Sequence, residues 1–253
     1  MPKRCCFLVL ASLGLLGGID PGRAGNSSEA ESLLDRAIQA RGGAESLARF
    51  RARVARGTGT IHRDGLKVRM TYECFFQDFN RARSQITFES ADTKVKSVTV
   101  IDHDHGWVKK DNEPATAMPN SQLQVEREAL YLSKVTSLLP LKDRAYHLSP
   151  LGAVTIRGRD AVGVKVHHAG HEDVRLYFDK ETALLVKAEQ EFRTAPDGEE
   201  TILEMLAGQY KDVQDLREPT RITLRFGETP YAEYHHTDLR VLETLDDSLF
   251  AMP

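Results

Sequence analysis

No run of 18 or more apolar residues occurs in the body of this 253-residue chain, so a membrane-spanning helix is not expected there. Basic excess is also missing. Lys and Arg number 34 against 37 Asp and Glu, and the formal net charge is −3. With no basic block either, counterion release on a phosphate backbone has no source, which argues against nucleic acid as a partner. Gly-x-Ser-x-Gly, Ser-x-x-Lys, P-loop, His-Glu-x-x-His and Cys-x-x-Cys patterns are all absent, so no familiar catalytic or metal motif is present. Cysteine is scarce, at three residues. Low-complexity stretches, linkers and fixed-period repeats are missing too, which favours one continuous domain over a string of modules. What remains is 41% hydrophobic residues, enough to build a real core at a length that suits one large domain or two small ones.

The first 24 residues read as an address. Lys3 and Arg4 form a short basic segment, Cys5 to Leu16 is almost wholly apolar, and Pro21-Gly22 breaks the run ahead of Gly22-Arg23-Ala24. That is the layout of a secretory signal peptide, residues 1–24, cleaved near Ala24, with a core too short for a membrane anchor. Cys5 and Cys6 precede the core, where a lipidation box would need a cysteine after it. Cleavage removes Lys3, Arg4, Asp20 and Arg23 and shifts the net charge from −3 to −5. It also leaves Cys74 as the only thiol, so the exported chain, residues 25–253, folds without an internal disulfide. Cys74 falls in phase with apolar residues on a strand and reads as a buried, inert thiol.

Behind the leader the hydrophobic period is helical. Ser28 and Glu31 are spaced as a capping box, and Leu33, Leu34, Ala37 and Ile38 make an apolar stripe that ends at Gly42-Gly43. Ala44 to Phe50 predicts a further short helical piece. The period then falls to two. Leu66, Val68, Met70, Tyr72, Cys74 and Phe76 alternate with Lys67, Arg69, Thr71 and Glu73, the pattern of an antiparallel strand with one wet face. Further strands are predicted over 53–62, 81–89, 94–101 and 107–110, and after residue 144 near 145–149, 153–158, 161–168, 173–179, 184–193, 199–208, 220–227 and 231–241. Between the two sets, Pro119-Asn120-Ser121 with Gln124 reads as a helix start, and Tyr131, Leu132, Val135, Leu138 and Leu139 as its apolar stripe, ended by Pro140. The expected fold is mainly β: a single curved antiparallel sheet, an open half-barrel of ten to twelve strands. The N-terminal and mid-chain helices cover its apolar face, the second as a lid.

Three histidine groups, His103/His105, His167/His168/His171 and His235/His236, could supply imidazole ligands, but they lie far apart in the chain. Solvated strand-face and loop histidines explain them as well, and no metal or other cofactor is expected. Asp102, Asp104, Asp173 and Asp179 could form an acid–base pair, or else satisfy backbone N–H groups in turns. The apolar face is left as the candidate site. Met70, Tyr72, Phe76, Phe88, Phe178 and Phe226 are expected to point inward, with Tyr131, Val135 and Leu138 from the lid. Periodicity cannot separate a ligand cavity from a packed core.

The run Val174-Arg175-Leu176-Tyr177-Phe178-Asp179-Lys180-Glu181-Thr182-Ala183-Leu184-Leu185 resembles a hairpin of the LolA/LolB-like superfamily of exported lipoprotein and lipid carriers. There a strand ends in Asp, turns through Thr and restarts with apolar residues. Gly158-Arg159-Asp160-Ala161-Val162 is similar to the hairpin before it, and Asp212-Val213 with Pro219-Thr220-Arg221-Ile222 to a later connection. The order of elements resembles that superfamily over most of residues 29–250. The resemblance implies an open barrel with a helical lid over a hydrophobic cavity and a non-catalytic, periplasmic or secreted protein. Its partners would be lipid or lipoprotein acyl chains and, at delivery, an envelope membrane protein. Two other readings stay open: an envelope interaction or scaffold module with a solid core and no ligand, and a histidine-based metal-dependent hydrolase.

Overall fold

The structure is a computed structural model that describes residues 22–63, 65–90, 93–193 and 200–253. Most of the expected leader therefore lies outside the described residues, as do Asp64, whose place before Gly65 between the first two expected strands reads as a turn, and Pro196-Asp197-Gly198, which reads as a turn ahead of the strand expected near 199–208. Two helices open the described chain, α1 (Gly22–Ala40) and α2 (Gly43–Arg49). Six strands follow: β1 (Ala52–Arg63), β2 (Leu66–Gln77), β3 (Arg81–Glu89), β4 (Lys94–Asp102), β5 (His105–Lys110) and β6 (Thr116–Ala117). Helix α3 (Asn120–Thr136) leads to β7 (Tyr146–Ile156), β8 (Arg159–His168), β9 (Val174–Asp179) and β10 (Leu185–Arg193). The chain ends with β11 (Glu200–Val213), β12 (Leu216–Phe226), β13 (Thr229–Leu242) and a short 3-10 turn at Asp247–Phe250.

All thirteen strands form one antiparallel sheet in the order β6-β5-β4-β3-β2-β1-β13-β12-β11-β10-β9-β8-β7. The fold is thus mainly β and built on a single open sheet, as the periodicity predicts. Two wings, β1–β6 and β7–β13, meet at the central β1–β13 pairing, which runs from Ala52↔Leu242 to Ile61↔Ala232. Because β6 and β7 are the two outer edges, the segment between them must cross the whole sheet, and α3 is that crossing. Thirteen flat strands about 4.8 Å apart would separate the edges by roughly 58 Å. A helix of this length covers only about 25 Å. The crossing is made because the sheet curls, and the lid follows from the topology.

Local chemistry explains the boundaries. Gly42 ends α1 with φ +122°, and a Cβ there would stand 2.1 Å from the Asp215 carbonyl oxygen, so the helix end can lie this close to the β11–β12 turn only as glycine. Asp179 closes β9 by accepting hydrogen bonds at Oδ1 from Glu181 N (3.1 Å), Thr182 N (2.8 Å) and Thr182 Oγ1 (2.9 Å). That is the physical content of the Asp–Thr hairpin noted in the sequence, and it gives Asp179 a turn role.

Several expectations are corrected. Neither capping box forms. Helix α1 begins at Gly22, so Ser28 sits inside the helix with no free end to cap, and Ser27 Oγ instead donates to Glu31 Oε1 at 3.2 Å. Helix α3 is entered from Pro119, whose extended backbone makes no side-chain cap, and Ser121 is already helical. The helix ends at Thr136, three residues before the expected end, and Leu138 turns the chain at φ +75°. Pro140 falls within a separate 3-10 turn, Leu139–Lys142, near whose start its missing N–H costs nothing. The strands expected at 145–149 and 153–158 are one strand, β7, with a register shift between Leu151 and Ala153.

Candidate functional site

The face of the sheet under the helices carries two separate packed cores. The larger lies on the β7–β12 side and joins Leu33, Leu34 and Ile38 of α1 and Tyr131, Leu132 and Val135 of α3 to Val164, Val166, Val174, Leu176, Phe178 and Leu203. Leu138, just beyond α3, is in it as well. The smaller, on the β2–β5 side, joins Leu123 and Leu130 of α3, with Met118, to Ile101 and, less deeply, Phe76, Ala82 and Val108.

Between them lies the centre of the sheet, called the trough below, where β1 puts glycines in place of side chains. Its floor is set by β1, where Gly57 and Gly59 present no side chain. A Cβ at Gly57 would stand 2.6 Å from Tyr72 Oη, and one at Gly59 2.8 Å from Met70 Cε. These glycines let Tyr72 and Met70 of β2 lean across β1 toward His236 and Tyr234 of β13, which pair with Gly57 and Gly59. Tyr72 Oη and His236 Nδ1 are 2.7 Å apart, and the Tyr72 ring meets that of Tyr234 edge-on at 5.3 Å. Burial, with the Arg53 guanidinium as a second cause, pushes His236 down to about 4, so the imidazole is neutral near pH 7. Burial pushes the Tyr72 phenol well up. It also lifts the Cys74 thiol to about 12, which keeps that thiol unreactive.

At one end of the trough a buried ion group fastens α1 to the central strands. Glu218 of β12, 1% exposed, accepts from Arg41 at 2.6 Å and from Arg53 of β1 at 2.8 Å. Burial alone would raise the Glu218 carboxyl, but Arg53 and Arg41 outweigh it and hold it below the usual range. Over the trough, α3 is tied to both wings. Arg127 Nη1 pairs with Asp104 in the β4–β5 turn at 2.9 Å. Across the sheet Glu128 meets His171 Nδ1 at 3.1 Å, while the Tyr131 ring stacks on His171 at 3.7 Å.

The residues picked out from the sequence divide between these places. Phe178, Tyr131, Val135 and Leu138 stand in the larger core, 0–5% exposed. Met70 and Tyr72 are buried in the trough floor. Phe76 packs at the smaller core, and Phe226 lies partly buried beside Phe192 at the rim of the larger one, ring centroids 5.9 Å apart. Phe88, paired with Met70, is only partly buried. Sequence reading missed the rest of the trough: Tyr234 and His236, partly buried Ile222 and Leu224 on β12, and the two glycines. The signal for them was the Gly-x-Gly inside a strand, which marks a close approach of other side chains.

The histidine groups are not brought together. His103 and His105 flank the β4–β5 turn, His167, His168 and His171 lie toward the β7 edge, and His235 and His236 are central. Among the described residues no three His, Cys, Asp or Glu side chains are placed to hold a metal ion. The candidate carboxylates are engaged in local pairs, Asp102 with Arg81 at 3.0 Å and Asp173 with His167 at 2.7 Å.

Compared by sequence, the chain matches no protein-family model and no curated protein. Compared by structure, it is similar to a DUF1329 family protein from Desulfovibrio piger (TM-score 0.58, 13% identity, 87% of this chain and 96% of that one). It is also similar to a LolA superfamily protein from Nitrosomonas europaea (TM-score 0.55, 16% identity, 88% and 97%). A third likeness is to a putative outer membrane lipoprotein-sorting protein domain from Vibrio parahaemolyticus (TM-score 0.55, 12% identity, 89% and 97%). The likeness extends over nearly the full length of those chains, and it is one of fold.

Proposed function

We propose that this protein is a non-catalytic carrier that holds an acyl chain, or a similar hydrophobic group, in the trough beneath α3. The observation that carries this reading is the uneven filling of the helix-covered face. Two packed cores flank a centre where β1 contributes glycine and Ile222 remains only partly buried, with Phe88 to one side and Leu224 and Phe226, at the edge of the larger core, to the other. Apolar side chains left half-covered under a helix gain from a ligand, since each acyl CH₂ removed from water contributes about 0.8 kcal/mol. The likeness in fold to a lipoprotein-sorting domain supports the same reading. The ligand-facing set is then Met70, Tyr72, Phe76, Phe88 and Phe226. Tyr131, Val135, Leu138 and Phe178 form the wall that positions it.

The leader of residues 1–24 would deliver the chain to the periplasm. Cleavage near Ala24 trims only the start of α1 and leaves its buried stripe, Ala30, Leu33, Leu34, Ala37 and Ile38, in place. Release of cargo at an acceptor membrane would need α3 to lift from the trough, and its ties to Asp104 and His171 are the contacts that must break. Native mass spectrometry of the mature protein purified without detergent, followed by organic extraction, tests the proposal. A near-stoichiometric lipid is the expected result. A protein that stays empty after incubation with mixed membrane lipids would overturn it and leave an envelope interaction module with a solid core.

A further inference from the structure

We propose that Glu126 reads the polar end of the bound amphiphile and selects a cationic, ammonium-bearing head over an anionic one; this rests on the carrier reading above. Glu126 lies on α3 between Leu123 and Leu130, three residues after one and four before the other. Both leucines are buried against the sheet, and Val125 packs at the larger core. Helical spacing therefore turns Glu126 toward the seam between the two cores, inward from its exposed neighbour Arg127. Burial there raises the Glu126 carboxyl, and its charge reaches Tyr234 on the trough floor.

What distinguishes Glu126 is the lack of a counter-charge. Glu128, two positions on, meets His171, and Glu218 at the trough's end holds two arginines. Among the described residues Glu126 has no hydrogen-bond or ion-pair partner, and the nearby Tyr234 hydroxyl makes no hydrogen bond either. A partly buried carboxylate without a partner is costly unless something pairs with it. An ammonium group supplies both the charge and the N–H donors, and the Tyr234 hydroxyl can accept from it or donate beside it. An anionic head in the same place would meet Glu126 as a like charge in a partly buried site, where repulsion exceeds that in open water.

The test compares three twelve-carbon amphiphiles, dodecylammonium, dodecanol and dodecanoate, each kept below its micelle or solubility limit, titrated into mature protein freed of lipid and followed by calorimetry. Tenfold or tighter binding of dodecylammonium over dodecanoate is expected. Glu126→Gln should erase that preference while leaving dodecanol binding unchanged, which also shows that the variant is folded. Equal binding of all three by the unaltered protein, or a preference that survives in Glu126→Gln, would overturn this inference alone. Failure of all three to bind would overturn the carrier reading with it.

Discussion

The two wings of the sheet are stabilised differently. On β8 and β9, Val164, Val166, Val174, Leu176 and Phe178 are at most 2% exposed, and the helix-covered face is sealed by α1 and the second half of α3. Across the centre every residue of β3 is only partly buried. That wing takes much of its stability from the outer face, where Phe75, Val54, Val98 and Val100 pack under the C-terminal 3-10 turn around Phe250. Arg81 lies over the Phe250 ring at 4.3 Å and holds Asp247 at 2.6 Å, while Gln77 Oε1 accepts from the Leu245 N–H at 2.6 Å. One wing is a closed scaffold. The other is braced from outside as well, and its inner face carries only the smaller core under α3.

The comparison breaks most readily at Phe178. Phe178→Ala should cost about 3–5 kcal/mol of unfolding free energy, because a fully buried ring leaves a cavity that the closed wing cannot collapse. Urea denaturation measures it, and a cost under about 1 kcal/mol would show that this wing is not the scaffold. Phe250→Ala should cost about 2–4 kcal/mol, and locally. Hydrogen exchange should speed up in β3–β5 and stay slow in β8–β10, with the single tryptophan, Trp107 at this outer core, reporting the change in its fluorescence. Equal loss of protection in both wings would mean that they are one cooperative unit.

The centre gives a smaller, pH-dependent effect. His236 has a folded-state value near 4 against an ordinary 6.5, so the unfolded chain binds a proton first as pH falls. Stability contributed by the neutral imidazole is complete above about pH 6.5 and is lost progressively down to about pH 4, by at most roughly 3 kcal/mol. His236→Gln should flatten that part of the pH profile, and a slope unchanged by the substitution would remove His236 as its cause. Phe88→Ser should be the mildest in stability, under about 1 kcal/mol for a partly exposed position. It should nonetheless weaken retention of an acyl ligand at least tenfold in the extraction assay. A large stability loss with unchanged retention would reverse the roles given to Phe88 and Phe178.

Much of this molecule is legible in its sequence. Alternation locates β2, β3, β8, β9 and β12, because strands with one wet face carry a period of two that survives without neighbours. The break at Gly42-Gly43 was equally plain, since few other residues reach those φ values. The outer core was not legible, although its trace is present: Phe75 and Phe76 are adjacent, and side chains on adjacent strand residues point to opposite faces. A strand with both faces apolar at one end signals cover on both sides, but only the structure shows that the cover comes from residues 245–250. The capping boxes misled for a different reason. Three-residue spacing is necessary for a box, but whether the serine stands at a helix end depends on the residues before it. The site was half legible. Apolar positions could be listed, but whether each is wall, floor or rim depends on how far α3 reaches across the curl.

The sheet's strand order also bears on how the chain folds. Eleven of the twelve strand pairings join neighbours in the sequence, so each wing can zip up from hairpins at little loop-closure cost. The β1–β13 pairing is the exception, since it brings Ala52 to Leu242. Closing so long a loop costs roughly 2–3 kcal/mol more than a ten-residue hairpin. Loop closure therefore favours this seam pairing after the hairpins on either side of it. The trough lies along the same line, over two glycines, so a cargo there would rest on the one joint that links the two wings.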